Sequence, residues 1–528
     1  MKSSSTYDVI IIGAGINGAG IARDAATRGL RVLLLDKSDM GGGTSSFSTR
    51  LIHGGLRYLE HGELGLVRES LREREVLLRI APHLVRSIPI LIPIYQQARR
   101  GPWTIRAGMI AYDLLSLAKT LPRHRMLSRT AALQQAPGLN RTGLAGGAIY
   151  YDAQVEFAER LVLENALAAQ QQGADIVTYA RVDHFIVEDE VLLGVEFITE
   201  LDGSNNSARG NLIINAAGPW IDQVLERSRI KGKRLIGGTK GSHVIVAPFP
   251  GAPAAALYIE AHADGRPFFI IPWNANYLIG TTDIHYEGDL DQVDATPEEI
   301  DYLLGETNRV IPGAYLGREQ ILYSYAGVRP LPFVDDKNES AITRRHFIRQ
   351  HARHANLLSI VGGKLTTYRS LAEETVDLAF KKLGRDSPAC VTGKALLPGA
   401  IGSETASPEV PTAGGFPQKV NKRLARIYGR RAKEVMELAS QDASLGTTFN
   451  AEADAIAAEV VFSFTRELAT TLADCLLRRT MIGLNPSQGI GDDLAAADIA
   501  RKHLGWSEDR VRREVSDYRK HLPGKVNS

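Results

Sequence analysis

Apolar positions along the chain follow two different periods, and the alternation between them predicts the elements. Val9-Ile10-Ile11-Ile12 is apolar at every position, the pattern of a strand buried on both faces of a parallel sheet. A glycine-rich turn follows, then a helix from about Ile16 to Arg28, stopped by Gly29. Arg31-Val32-Leu33-Leu34-Leu35-Asp36 predicts a second buried strand, and the three elements make a βαβ unit. Leu64, Val67, Leu71 and Leu78 recur at helical spacing within Glu63–Ile80, which Pro82 limits. Asp152 reads as the N-cap of a helix ending near Gly173. Leu212-Ile213-Ile214-Asn215-Ala216-Ala217-Gly218 is another buried strand with a glycine exit. Short strands and turns alternate from about 236 to 345, the signature of an antiparallel sheet. Gly362-Gly363 precedes a helix from about Thr367 to Leu383, ended by Gly384. Proline and glycine accumulate over 385–418, as in a linker, and 419–528 is mostly helical by pattern.

Composition narrows the class. The chain has 528 residues, 44% apolar and 23% charged, with a formal net charge of +2. This is an ordinary globular balance with room for about three domains, and it argues against a disordered chain or a nucleic-acid-binding polycation. Two cysteines, Cys390 and Cys475, stand far apart. Without a Cys-x-x-Cys pair, a zinc ribbon or cysteine-held cluster is not expected, and no residue is assigned to a metal. The polar N-terminus runs straight into the first strand, and no apolar run approaches the ~18 residues of a spanning helix. The expectation is a cytoplasmic protein that does not cross a membrane but can lie on one.

Gly13-x-Gly15-x-x-Gly18 sits between the first strand and helix, and Asp36 ends the second strand. Gly13 permits the tight turn, Gly15 lets backbone approach a pyrophosphate, and Gly18 lets helix and strand pack closely. The helix N-terminus supplies N–H donors, and Asp36 can accept from a ribose diol. A dinucleotide site follows. The chain then enters the hydroxyl-rich Thr44-Ser45-Ser46-Phe47-Ser48-Thr49-Arg50, and a second glycine pair appears only at Gly362-Gly363. Far-separated pieces around one cofactor favour FAD over a nicotinamide dinucleotide.

Four stretches then carry a resemblance: Arg50-Leu-Ile-His-Gly-Gly-Leu-Arg-Tyr-Leu-Glu-His61; Lys240-Gly-Ser-His243 with Ile279-Gly-Thr-Thr-Asp283; Tyr325-Ala-Gly-Val-Arg-Pro-Leu331; and Gly362-Gly-Lys-Leu-Thr-Thr-Tyr-Arg369. The chain resembles the FAD-dependent, quinone-linked glycerol-3-phosphate dehydrogenases over about residues 7–385, and more weakly beyond. The resemblance implies an α/β plus α+β architecture. A Rossmann-like FAD-binding domain is built from 1–87, 150–235 and 346–390. A substrate domain with an antiparallel sheet and a membrane-facing segment comes from 88–149 and 236–345. A linker at 391–418 leads to a C-terminal helical domain at 419–528.

The implied reaction oxidises the C2 alcohol of sn-glycerol 3-phosphate to dihydroxyacetone phosphate, with hydride transfer to flavin N5 and electrons passed to a membrane quinone. By the motif match, Arg329 and Arg344 take the phosphate, with Arg57 and Lys364 nearby, because guanidinium offers a planar, permanently charged fork. His243 and Lys364 are rival proton acceptors, and Arg329 completes the catalytic set. Tyr58 and Thr282 are expected to hydrogen-bond the substrate. The cofactor set extends from Gly13, Gly15, Gly18 and Asp36 to Thr44, Ser45, Ser46, Gly54, Gly55, Gly218, Gly363, Lys364, Leu365 and Thr366. His53 is expected near the flavin, with FAD held noncovalently.

Between Tyr95 and Thr130 stand seven basic residues, Arg99, Arg100, Arg106, Lys119, Arg123, Arg125 and Arg129, against one acid, Asp113. Trp103, Ile105, Met109, Ile110, Tyr112, Leu114 and Leu115 are interleaved. This is the pattern of a segment lying on anionic lipid, and the family's peripheral membrane association places the protein at the inner face of the cytoplasmic membrane. The basic residues of the C-terminal helices, Arg478 and Arg479 among them, read as a solvated face. A homodimer is left open. Two other readings stand beside the dehydrogenase: a flavin oxidase of glycerol 3-phosphate or an amine, and a flavin-binding membrane scaffold without turnover.

Overall fold

A computed structural model describes residues 6–522 apart from 61, 99, 117–118, 335–344, 402–414 and 451. Arg344, Arg99 and His61 lie outside the described residues.

The first βαβ unit forms as its pattern requires. Strands Tyr7–Ile12 and Val32–Leu35 are buried at every position and pair in parallel, Val9 opposite Val32. On the other side, Val9 faces Leu212 of strand Asn205–Asn215, which pairs in parallel with Leu357–Val361. Both faces are covered. Helix Ile16–Thr27 lies against Ala158–Gln171 and Tyr368–Leu383, where the Tyr368 ring comes so close that a Cβ on Gly20 would stand 2.7 Å from it. The sheet therefore exists only when segments more than 300 residues apart in sequence are brought together.

The second sheet stacks Thr239–Val246 between Ile321–Arg329 and Asn276–Gly280, and continues through Pro267–Trp273 and Ala256–Glu260 to Val85–Tyr95 and Leu144–Val155. All its ladders are antiparallel except Ala256–Glu260 on Val85–Tyr95. The C-terminal residues form helices Gln418–Tyr428, Ala432–Gln441, Ala457–Arg466, Asp492–Leu504 and Glu508–Lys520 with one small hairpin. The α/β plus α+β class with a helical C-terminal domain thus holds.

Some local expectations are corrected. Asp152 caps no helix. It lies inside strand Leu144–Val155, where its buried carboxylate takes Arg74 at 2.6 Å and the Tyr112 hydroxyl at 2.7 Å, and the helix starts only at Ala158. A polar residue before an apolar run is an N-cap signal only where the chain is free to turn. The described part of the expected linker is packed: Leu397 and Ala400 are buried, Leu397 N donates to Ile80 O, and Gly399 N donates to Glu164. Strand Leu144–Val155 also crosses the expected boundary at 149/150 and stays in the second sheet throughout. Arg478 and Arg479 are no solvated face, since both are drawn onto the buried Asp39 of the first domain.

Candidate active site

The two sheets face each other across a cavity of about 1700 Å³. One end is built by the glycine turn. Gly13 has φ +99°, and a Cβ there would stand 2.7 Å from the Ala216 carbonyl oxygen. A Cβ on Gly18 would lie 1.8 Å from the Gly13 carbonyl oxygen, so Gly18 is packed and does not reach the cavity. Gly15 differs: the nearest atom to its Cβ would be Ser45 Oγ at 3.4 Å, and its open side is cavity. Asp36 lies on the wall, its carboxylate accepting from Ala14 N at 2.6 Å, Ser38 N at 2.9 Å and Ser38 Oγ at 3.1 Å.

Thr44, Ser45 and Ser46 line the cavity, as do Gly218, Gly363, Lys364, Leu365 and Thr366. Thr44 Oγ1 donates to Val328 O at 2.7 Å and Ser46 Oγ to Gly41 O at 2.6 Å, so part of the hydroxyl run builds the loop itself. Gly54 and Gly55 stand behind the wall. Gly54 N donates to Tyr112 Oη at 2.9 Å, and Gly55 leaves room for the Tyr58 ring, which would otherwise lie 2.0 Å from a Cβ.

An FAD fits these features. The N-cap residues of helices Ile16–Thr27 and Tyr368–Leu383 supply no side-chain cap, Ile16 N donating instead to Ser45 Oγ at 3.0 Å, and both glycine turns open on the cavity. Between them Asn17 donates to Gly362 O at 3.2 Å while its Oδ1 is buried without a partner among the described residues. Helix N-termini of this kind attract the polar and anionic edges of a dinucleotide.

At the other end stand the groups expected to do chemistry. Arg329, last residue of its strand, donates Nη1 to Asp283 at 2.9 Å, and Nη2 to Thr281 Oγ1 at 3.0 Å and Thr282 O at 3.1 Å. A Cβ on Gly241 would meet that guanidinium at 2.1 Å, which explains the glycine after Lys240. His243 is buried, shares a hydrogen bond between Nε2 and Thr49 Oγ1 at 2.9 Å, and lies on the Tyr325 ring at 4.9 Å. Burial first, then the positive charges of Arg329 and Arg50, hold its pKa well below the ordinary 6.5, so the imidazole is neutral. Its Nδ1 has no hydrogen-bond partner among the described residues. Lys364 donates to Ser70 Oγ at 3.1 Å and stands 4.2 Å from the centre of the Tyr58 ring. Tyr58 and His53 are on the wall.

Two expected substrate contacts are placed elsewhere. Thr282 donates to Glu299 at 2.6 Å and accepts from Ser242 N at 2.9 Å, so its hydroxyl braces the sheet and does not line the cavity. Arg57 is also off the wall, on the Tyr258 side. The sequence reading missed Asp283, Thr49, Tyr325 and Arg50. All four lie in or beside the quoted motifs. Asp283 and Arg50 carried a usable signal, because a charge in an apolar setting needs a partner. Arg50 finds it in buried Glu159, at 2.7 and 2.8 Å.

Comparison with known proteins gives this geometry a family. The chain matches the family described as "FAD dependent oxidoreductase" over residues 8–369, and "C-terminal domain of alpha-glycerophosphate oxidase" over 390–511. The glycerol-3-phosphate dehydrogenase of Synechocystis sp. is 46% identical, across 98% of this chain and 97% of that protein. The chain belongs to the FAD-dependent glycerol-3-phosphate dehydrogenase family. The aerobic glycerol-3-phosphate dehydrogenase of Staphylococcus aureus is 34% identical over 90% of this chain and 86% of its own length. The crystal structure of the glycerol-3-phosphate dehydrogenase from Bacillus halodurans complexed with FAD has a TM-score of 0.81 at 28% identity, covering 100% of this chain and 97% of that one. The cofactor of this dehydrogenase is FAD, and the glycine cradle and the helix N-termini beside it are what would hold it.

Proposed function

We propose that this chain oxidises the C2 hydroxyl of sn-glycerol 3-phosphate to the ketone of dihydroxyacetone phosphate, and that the electrons leave to a membrane quinone. The observation that carries the reading is the pairing of a phosphate-sized cation with a neutral base in one wall: Arg329, held in place by Asp283 and Thr281, beside His243. Bound FAD supplies the hydride acceptor. Arg329 Nη atoms take the phosphate and fix the distance of C2 from the cofactor. His243, whose Nε2 shares a hydrogen bond with Thr49 Oγ1, takes the hydroxyl proton, and Lys364 Nζ adds positive charge where the oxygen becomes electron-rich.

The test is anaerobic bleaching of the flavin by glycerol 3-phosphate. A base whose pKa is lowered stays deprotonated to lower pH. The bleaching rate is therefore expected to be flat on descending from pH 8 to about 6.5 and to fall only below it. In His243→Asn the flavin stays bound but bleaches roughly a hundredfold or more slowly, the range of a lost general base. An oxidised flavin that glycerol 3-phosphate leaves unchanged would sink the proposal. Stoichiometric hydrogen peroxide in air would replace the quinone reading with that of an oxidase.

Membrane association rests on helix Pro102–Leu115. Trp103 is 77% exposed and Leu114 60%, Ile110 is exposed on the same helix, Arg106 lies over the Trp103 ring, and Arg123, Arg125 and Arg129 are exposed in the chain that follows. Two of the seven basic residues are neutralised, Arg100 by Glu60 and Glu260 and Lys119 by Asp113, so apolar burial carries more of the reading than charge. No helix among the described residues is long and apolar enough to cross a membrane. The purified enzyme is expected to float with vesicles containing anionic lipid. A Trp103→Glu/Leu114→Glu variant is expected to stay behind while still bleaching with substrate. Wild-type protein that remains at the bottom of the gradient would remove the membrane from the proposal.

A further inference from the structure

The two arginines that the sequence left on a solvated face do something more specific. Arg479 and Asp39 are both fully buried, and Arg479 donates to both Asp39 oxygens, at 2.6 and 2.8 Å. Arg478 reaches the same carboxylate at 2.5 Å. Two consecutive residues converge on one acid because Cys475–Arg479 is a wide π-helical turn, a geometry found mostly at functional positions.

Asp39 is not an arbitrary anchor. It closes the turn that Asp36 opens, and Ser38 connects them: its Oγ bonds the Asp36 carboxylate at 3.1 Å and lies 3.3 Å from Asp39 O. A ring of bonds returns to the same turn from the other side. Arg478 also pairs with Asp474 at 2.8 Å, Asp474 accepts from the Tyr179 hydroxyl at 2.6 Å, and Tyr179 N donates to Ser38 O at 3.1 Å. Asp36, Asp39, Tyr179 and Arg478 all line the cofactor cavity. The C-terminal turn is itself fixed to the first domain at a second point. Arg479 Nε donates to Glu467 O at 2.8 Å, and the Glu467 carboxylate takes Arg160 of helix Ala158–Gln171 at 2.6 and 2.9 Å.

A domain that only needed to dock would do so at least cost through apolar contact, since burying ions carries a desolvation penalty that well-packed hydrophobic groups avoid. Here two adjacent arginines of the C-terminal domain are placed on the turn that presents Asp36, in addition to the Arg160–Glu467 pair. We propose that Arg478 and Arg479 are positioning residues for FAD. By clamping Asp39 they fix the Asp36 turn, so that the C-terminal helical domain sets how tightly the adenosine half of the cofactor is held.

The test uses full-length protein stripped of FAD, with calorimetric titration of FAD and of ADP, which probes the adenosine half alone. Arg478→Gln is expected to weaken both ligands about tenfold, the scale of one charged hydrogen bond. Arg478→Lys, which keeps the charge, is expected to recover part of that loss. Arg519→Gln serves as the control. It loosens the C-terminal domain through the Arg519–Asp493 pair without touching Asp39 or Glu467, and is expected to lower Tm while leaving ADP affinity unchanged. If Arg478→Gln does not fold, Tyr179→Phe opens the same ring by one hydroxyl and is expected to weaken ADP about threefold. ADP and FAD affinities unchanged in the ring variants, or lowered equally in Arg519→Gln, would overturn the proposal.

Discussion

Arg329→Ala is expected to raise the Michaelis constant for glycerol 3-phosphate by roughly ten- to a hundredfold with FAD still bound, the loss of about 1.5–3 kcal/mol carried by a hydrogen bond to a charged group. The loss has a second component that a free surface arginine would lack. Asp283 is mostly buried and pairs with the Arg329 guanidinium at 2.9 Å. Removing the cation takes away one of the positive charges that compensate that carboxylate, next to the place where Arg329 would meet an anionic substrate. The single variant therefore measures a missing attraction together with a newly exposed repulsion. Arg329→Ala/Asp283→Asn is expected to bind substrate better than Arg329→Ala alone, by several-fold in the Michaelis constant. A single variant with wild-type kinetics would remove Arg329 from the phosphate site, and a double variant no better than the single would remove Asp283 as the source of repulsion.

A second large effect separates two glycines of one motif. Gly15→Val is expected to give folded protein with under about a tenth of the wild-type flavin, because a Cβ there meets nothing nearer than Ser45 Oγ at 3.4 Å and the rest of the side chain fills the space a pyrophosphate would use. Gly18→Ala is expected to fail earlier. Its Cβ would lie 1.8 Å from the Gly13 carbonyl oxygen, a clash with backbone that no rotamer relieves. Overpacking of this kind costs about 1–3 kcal/mol or more. Circular dichroism and flavin absorbance read together distinguish the two. A yellow Gly15→Val protein, or a Gly18→Ala protein with wild-type Tm, contradicts the corresponding half.

Much of this site was legible in the sequence, for identifiable reasons. The glycine turn and Asp36 are local: strand, turn, helix and acid fall within thirty residues, and each element has its own pattern. His243 and Arg329 were reached through motif resemblance, and their partners stayed hidden because Asp283, 46 positions from Arg329, and Thr49, 194 positions from His243, meet them only once the chain is folded. Thr282 shows the opposite error. It lies in the right motif, yet Glu299 from another helix turns its hydroxyl inward. Asp152 and Arg479 fail for a common reason. A charged residue reads as exposed unless its partner is visible, and theirs are Arg74, 78 positions away, and Asp39, 440 away.

The separation of the cofactor's two anchoring turns also has a consequence for how the protein is made. The strand that leads into Gly13 is synthesised long before Leu357–Val361, without which its sheet is incomplete, and the second glycine turn follows only at Gly362-Gly363. At ordinary translation speeds the interval is roughly 20–70 s. Throughout it, the nascent chain carries the first glycine turn and Asp36 without the second glycine turn. FAD loading is therefore expected to wait for the synthesis of Gly362-Gly363, and a chain truncated before Val361 is expected to carry no bound flavin.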